Sequence, residues 1–365
     1  MGNPIIPAIY YGSIYIIIVS LFTVVALNGF NVNLRKQNDW SFAVFACVVF
    51  VLFLGTRPID ALFADMPLYY GIYNRWNGIF YFDFDAQNLL FDNLECYLAS
   101  IRFDPTLHYV LFAAIYFGCI LVASKKMFPR HIALAFLCYC AAFSTFSYCV
   151  NGYKAGSAAA FFLVALAYRD NLKISILFVL LSWGFHHSMQ LPVVAFLITQ
   201  LYSKPKYYYY LWYVCAIISI LHISWFQHFF AGLTDKHGAG YLLSSSSSQG
   251  FAEAYKGGFR FDFWIYSAMP ILIGWWVINK YEIVDKFYNR LLCMYITVNS
   301  VWLLCIYASF TNRIAYLSWF MYPFVLIYPL FNERIGIKRT KYLRIAVTLH
   351  LLFTLIMQFI YLQIQ

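Results

Sequence analysis

Three cations and a histidine pair stand at the edges of apolar stretches. Arg57 follows the run ending at Leu54. Lys154 sits in CVNGYKAGSAAA with Asn151, and Arg313 sits in SFTNRIAYLSWF with Asn312 and Tyr316. His186, His187 and Ser188 sit in WGFHHSMQLP. A charge at membrane depth is costly, so its default reading is functional. Arg and Lys are the usual clamps for phosphate and diphosphate. A histidine titrates close to neutrality and can take up a proton. This combination suits a dianionic head group with a proton acceptor beside it. Two further segments carry candidates: Asp65, Tyr69 and Tyr70 in GTRPIDALFADMPLYYGIY, and Glu95 in LLFDNLECYL.

Each group also has a plainer reading. Arg57 either meets an anion or pairs with Asp60 or Asp65 to mark the end of a span. Lys154, beside Gly152 and Gly156, reads equally as a snorkelling interfacial lysine. The histidines read as a hydrogen-bonded hairpin cap, and Glu95 as the polar-face residue of a helix lying on the membrane surface. Arg313 has no adjacent carboxylate in sequence and needs a partner from elsewhere or an anionic ligand. His108, His222, His228, Arg75 and Arg102 read as ordinary interface or loop residues.

The elements that must position these groups are helices in a membrane. The chain has 365 residues, 63% hydrophobic and only 11% charged, with mean hydropathy +0.68. Soluble domains carry about 25% charged residues. The apolar runs are helix-length and do not alternate, which predicts an all-α polytopic membrane protein and excludes a β-barrel. Twelve runs are expected as spans: 8–28, 41–56, 106–123, 132–150, 155–168, 174–185, 189–202, 207–226, 262–279, 290–309, 314–331 and 345–363. Three of them (155–168, 174–185, 189–202) fall short of the ~20 residues a span needs. The first basic residue is Arg35, so the first run reads as a retained span rather than a cleaved signal. The nine cysteines form no CxxC and no zinc pattern, and they read as small core residues.

Loop charge sets the sidedness. The loops 29–40, 124–131, 169–173, 203–206, 280–290 and 332–344 hold 17 of the 25 Lys and Arg and 5 of the 15 Asp and Glu. By the positive-inside rule these loops face the cytoplasm, and both termini face outward. The net charge of +10 therefore reports topology rather than nucleic-acid binding. The two long loops, about 57–105 and 227–261, then lie outside, and every candidate residue comes out on their face. The second contains LLSSSSSQG, which reads as a linker or a mobile lid. The chain is read as one transmembrane domain over 1–365, with no inverted repeat, Walker motif or GxGxxG.

In these residues the chain resembles the EpsG-like polymerases of bacterial exopolysaccharide and O-antigen assembly, relatives of the Wzy polymerases. The resemblance runs from about residue 50 to 330. It rests on Arg57, Asp65 and Tyr69 after the second span, and on Glu95 in the amphipathic stretch. It includes Asn151 and Lys154 at the next helix start, where Lys154 stands for an Arg and Ala155 for a Gln. His186 and Ser188 at the hairpin tip belong to it, with Met189 for a small residue, as do Arg313, Tyr316 and the later Pro323. The resemblance implies a GT-C-like membrane glycosyltransferase of the bacterial inner membrane. Such an enzyme joins undecaprenyl-diphosphate-linked repeat units at the outer face and releases the lipid diphosphate. Its expected partners are the lipid-linked donor and acceptor, membrane lipid and a chain-length regulator, with no nucleic acid, no cofactor and no metal.

On that reading Arg57 and Arg313, helped by Lys154, stabilise the leaving diphosphate. His186 is the first choice of base, with Asp65 or Glu95 as rivals. Asn151, Tyr69, Tyr70, His187, Ser188, Asn312 and Tyr316 are expected to contact substrate. Two other classes use overlapping residues: a flippase of lipid-linked sugars, which needs no base, and a membrane O-acyltransferase acting through His186.

Overall fold

The computed structural model describes residues 6–28, 30–31, 39–60, 63, 65–223, 225–232, 259–308 and 311–364. Among these residues it is helical throughout, with no strands. The serine-rich tract and most of the second expected outer loop lie outside the described residues. The chain divides into two compact units, Met1–Gln190 with Thr340–Gln363, and Leu191–Arg339 with Ile364–Gln365.

The first unit contains α1 (Ile6–Asn28), α2 (Trp40–Gly55), α3 (Met66–Arg75), α4 (Leu89–Ser100), α5 (Pro105–Met127), α6 (Ile132–Cys140), α7 (Phe143–Val150), α8 (Tyr153–Ala167) and α9 (Leu172–Phe185). The pairs α2–α5, α5–α8 and α8–α9 pack against one another; α2 and α5 run in opposite directions, and α5 and α8 in the same direction. At one end Lys125, late in α5, lies 4.1 Å from the ring of Trp40 at the start of α2. At the same end Lys126 lies 5.5 Å from the Tyr168 ring just after α8. Asp39 there accepts the backbone N–H groups of Ile132 and Ala133 at 3.2 and 2.8 Å, which caps α6 from a neighbouring loop. Arg344 donates to the Phe30 carbonyl at 2.8 Å. Three of the loops grouped by charge, 29–40, 124–131 and 332–344, thus send residues to one end of this unit.

Close approach in the bundle depends on glycine at two places. A Cβ on Gly55 would lie 2.7 Å from Cα of Val110, so only glycine lets α2 meet α5 there. A Cβ on Gly156 would overlap the Tyr148 carbonyl, so only glycine there lets α8 fold back on α7.

The expected single run 132–150 is two helices bent by 73° between α6 and α7. A break in lipid exposes backbone carbonyls that have no water to bond. Here side chains meet them: Tyr15 donates to Cys140 at 2.8 Å, Thr354 to Ala141 at 2.7 Å and Thr145 to Tyr139 at 2.8 Å. His350 Nε2 lies 3.1 Å from the Cys138 carbonyl, which can only accept, so that nitrogen carries the proton. The hydroxyl and imidazole donors come from α1, from α7 itself and from α17 (Arg339–Ile364, numbered after the helices of the second unit).

The second unit contains α10 (Gln190–Leu201), α11 (Pro205–Ile220), α12 (Trp225–Gly232), α13 (Phe261–Tyr281), α14 (Lys286–Leu304), α15 (Thr311–Trp319) and α16 (Tyr322–Ile327). The run 314–331 is likewise bent, by 47°. Its polar side chains pair inside the unit. Trp212 donates to Asn299 at 2.8 Å, Asn299 to Ser318 at 3.1 Å and Trp319 to Ser267 at 2.7 Å. Trp302 donates to Thr311 at 2.9 Å.

Span count is where the helices depart from the sequence expectation. Among the described residues, four helices are long and apolar enough to cross a membrane: Tyr10–Asn28, Pro105–Met127, Phe261–Tyr281 and Glu333–Ile360. The two bent pairs bring that to six. Trp40–Gly55, Tyr153–Ala167 and Leu172–Phe185 are apolar but shorter. At 1.5 Å per residue, helices of this size reach only about 20–24 Å, short of a hydrocarbon core of ~30 Å. Two of the expected runs, 132–150 and 314–331, are each broken into a bent pair because their corners are themselves apolar. All nine cysteines are free thiols, eight of them buried.

Candidate functional site

The site is built at the end of the first unit opposite Lys125 and Lys126, where α2 and α7 finish and α5 and α8 begin. Its frame is Arg57. The side chain is 2% exposed. One terminal nitrogen donates to the Leu54 carbonyl at 2.6 Å and the other to the Val150 carbonyl at 3.0 Å. The guanidinium lies 5.0 Å from the Tyr109 ring centroid and 5.7 Å from that of Phe63. A cation at two helix C-termini meets orphan carbonyls and the negative end of each helix dipole. The alternatives left by the sequence were an anionic ligand or an ion pair with Asp60 or Asp65. Among the described residues no carboxylate lies within ion-pair distance of Arg57; its terminal nitrogens tie α2 to α7.

That tie sets the corner between α7 and α8. Asn151 and Gly152 both donate backbone N–H to the Ser147 carbonyl, at 3.0 and 2.9 Å, and α8 then starts at Tyr153. The Asn151 side-chain oxygen is buried at this corner with no partner among the described residues. Two consecutive residues, Tyr153 and Lys154, serve two different clusters.

The first cluster is a buried acid. Glu95 is 5% exposed, so it is not the surface residue its amphipathic stretch allowed. Tyr153 donates to Glu95 Oε1 at 2.5 Å. His108 Nε2 lies 3.5 Å from the same oxygen and 3.5 Å from the Tyr153 hydroxyl. His108 itself is 3% exposed, which corrects its reading as an ordinary interface residue. Rings enclose the group. Tyr69 stands 4.7 Å from Tyr153, Tyr73 4.8 Å from His108 and Phe112 4.8 Å from His108, centroid to centroid. Burial, followed by the negative charges of Glu95 and Asp104, pushes the Tyr73 hydroxyl up to about 12. It therefore stays protonated and donates to the Phe103 carbonyl at 2.7 Å.

The second cluster is a polar chain along α4 and the α9 hairpin tip. Lys154 pairs with Asp92 at 3.1 Å and lies 5.0 Å from the Phe91 ring. Asp92 also accepts from the Asn88 side chain at 3.3 Å and from its backbone N–H at 3.1 Å. Asn88 Oδ1 in turn takes the His187 backbone N–H at 3.0 Å and lies 3.1 Å from His187 Nδ1. A carbonyl oxygen only accepts, so Nδ1 of His187 is its protonated nitrogen. His186 is the opposite. Its Nδ1 accepts the Ser188 backbone N–H at 3.2 Å, with the Ser188 hydroxyl at 2.7 Å. The proton of neutral His186 is then on Nε2, which makes that nitrogen a donor rather than a base. The two imidazoles stack at 4.8 Å and 20°.

Asp92 and Glu95 are three residues apart on α4, and Tyr153 and Lys154 are adjacent on α8. The two clusters are therefore side by side, about one helical turn apart. Tyr70 and Asp65 are half-buried on and just before α3. Asn312, Arg313 and Tyr316 belong to the second unit. There Arg313 is exposed, Tyr316 is buried, and the Asn312 side chain lies 3.5 Å from the Tyr316 hydroxyl. Among the described residues no group of three or more His, Cys, Asp and Glu could hold a metal ion.

Sequence reasoning missed His108, Tyr153, Asn88 and Asp92. His108 stands one turn into a span at the same end as Arg57, the criterion that selected the other candidates. Asp92 was legible as the i−3 neighbour of Glu95 on one helix face. Tyr153 was hidden by abundance, one of 32 tyrosines.

Fold and site together define a helical membrane protein with a buried carboxylate, a paired lysine and three histidines gathered at one end of a bundle. The chain belongs to the EpsG family, whose family model matches residues 40–364. No curated protein and no solved structure matches it.

Proposed function

We propose that this protein is a polysaccharide polymerase that joins lipid-diphosphate-linked oligosaccharide units by glycosyl transfer at the outer face of the bacterial inner membrane. Membership of the EpsG family supports a polymerase-type role. The observation that carries the mechanism is Glu95, a buried carboxylate one helical turn from the carboxylate that holds Lys154. In this reading an acceptor hydroxyl oxygen attacks the anomeric carbon of the donor unit. Its proton passes to Glu95. The bond from the anomeric carbon to the diphosphate oxygen breaks, and its electron pair leaves with the lipid diphosphate.

Glu95 is preferred over His186 as base because Nδ1 of His186 is filled by Ser188 N–H. The diphosphate is met by Lys154, whose ammonium has donors beyond the one given to Asp92, and by the Nε2–H of His186. Arg57 positions the corner that carries Tyr153 and Lys154 rather than touching phosphate. For the second unit we keep Arg313, with Asn312 and Tyr316, as an anion-binding segment argued from sequence context alone. The undecaprenyl carrier, the GT-C-like architecture and a chain-length regulator belong to the same proposal through the family resemblance.

The test is reconstitution. Purified protein in vesicles is given lipid-diphosphate-linked oligosaccharide of known length. Longer glycans on the carrier are expected. Transfer of the substrate across the bilayer without new linkages would replace this reading with a flippase.

A further inference from the structure

Glu95 has an unequal pair of oxygens. Oε1 receives the Tyr153 hydroxyl at 2.5 Å and faces His108 Nε2 at 3.5 Å. Oε2 has no hydrogen-bond partner among the described residues. His108 Nδ1 is buried and has none either. A proton placed on Nδ1 would leave a donor unpaired in an apolar box, whereas Nε2 faces a carboxylate and a phenol oxygen. The His108 proton therefore belongs on Nε2, on the side of the Tyr153 hydroxyl and the carboxylate. Removing a carboxylate from water costs several kcal/mol unless hydrogen bonds replace the water; the Tyr153 hydroxyl supplies one to Oε1, with His108 Nε2 close behind at 3.5 Å from both that oxygen and the hydroxyl.

The donors are held as firmly as the acid. The Tyr153 ring is packed by Tyr69 of α3, Phe91 of α4 and Phe112 of α5, at 4.7, 5.6 and 5.1 Å. The His108 ring is packed by Tyr73 at 4.8 Å and Phe112 at 4.8 Å. Four helices thus fix one carboxylate oxygen and leave the other uncommitted.

We infer that Tyr153 and His108 are the positioning residues of Glu95: by occupying Oε1 they set Oε2 towards the acceptor hydroxyl. This rests on the polymerase reading above. Oε2 takes the hydroxyl proton as the acceptor oxygen bonds to the anomeric carbon, and the diphosphate leaves with the electron pair of the broken bond. Neither positioning residue gains or loses a proton in the step. A base held within a fraction of an ångström of its target acts on turnover rather than on substrate binding, and a misplacement of about 1 Å costs on the order of 10²-fold.

The experiment compares Tyr153→Phe, His108→Gln and Glu95→Ala with the full-length wild type in vesicles supplied with lipid-diphosphate-linked oligosaccharide. Tyr153→Phe keeps the ring and its packing. It is expected to lower kcat by about 10- to 10²-fold with KM within about twofold. His108→Gln retains a side-chain N–H donor and is expected to lose less. Tyr153→Phe in a Glu95→Ala background is expected to cost nothing further, because residues acting as a unit are non-additive. The inference is overturned if Tyr153→Phe leaves kcat unchanged, raises KM alone, or subtracts again from Glu95→Ala. His108→Gln serves if Tyr153→Phe does not accumulate, and a wild-type kcat in it is equally contrary. If the wild type itself makes no longer glycan, the polymerase reading fails; if it does and the variants behave like it, only the positioning role fails.

Discussion

At the scale of single residues, charge type alone did not say what each cation does. Arg57, Lys154 and Arg313 look equivalent in sequence, but the first two are used differently. Arg57 spends a planar fork on two carbonyls from two helices. Lysine has one compact charge and cannot span both. Arg57→Lys is therefore expected to lower unfolding stability by about 1–3 kcal/mol for the carbonyl left without a donor, read by thermal or denaturant unfolding in detergent. Unchanged stability with weakened donor binding would instead make Arg57 a ligand group. Lys154 is part-exposed and keeps ammonium donors beyond its bond to Asp92. Lys154→Met keeps the stem and loses the charge. It is expected to raise KM for the lipid-linked donor about tenfold, the worth of one charged hydrogen bond. A fall in kcat at constant KM would contradict this. The sequence showed which residues stand at the ends of apolar runs. It could not show which of them share a hydrogen bond, because Glu95, His108 and Tyr153 come from three helices separated by up to 58 positions.

At the scale of elements, apolar run length identified where helices occur but not where they break. The run 132–150 is uniformly apolar, yet it turns by 73°. Nothing in its own residues demands the bend. Besides Thr145 of the run itself, the groups that make it tolerable, Tyr15, His350 and Thr354, lie more than 100 residues away. The break ends α7 where Val150 can meet Arg57 and lets α8 begin with Tyr153 and Lys154, so the corner is a precondition of the site. Thr354→Val removes the hydroxyl at constant shape. It is expected to cost about 1–2 kcal/mol, measured as a lower unfolding midpoint in detergent. A variant as stable as the wild type would mean the Ala141 carbonyl has another donor. The amphipathic stretch over Leu89–Ser100 illustrates the same limit. Its moment is real, but Phe91, Asn93 and Glu95 face protein rather than a membrane surface.

At the scale of the whole molecule, composition pointed to the class, and loop charge sorted the loops into two groups. The low charge content and the even spread of basic loops required a polytopic helical protein. The meeting of loops 29–40, 124–131 and 332–344 at one end of the first unit agrees with that grouping. The division into two units was not legible, since the run 189–202 crosses their boundary without any change in composition. Order and spacing of weak motifs pointed to the EpsG family, and the family model covers residues 40–364. The central claim is that Glu95 takes the acceptor proton in a chain-lengthening reaction. Its most direct test is elongation of lipid-diphosphate-linked oligosaccharide by purified protein in vesicles, comparing the wild type with Glu95→Gln. Removing a general base typically costs about 10²–10⁴-fold. The account predicts a ladder of longer lipid-linked glycans from the wild type and a loss of that size in Glu95→Gln. Equal ladders from both proteins would contradict it.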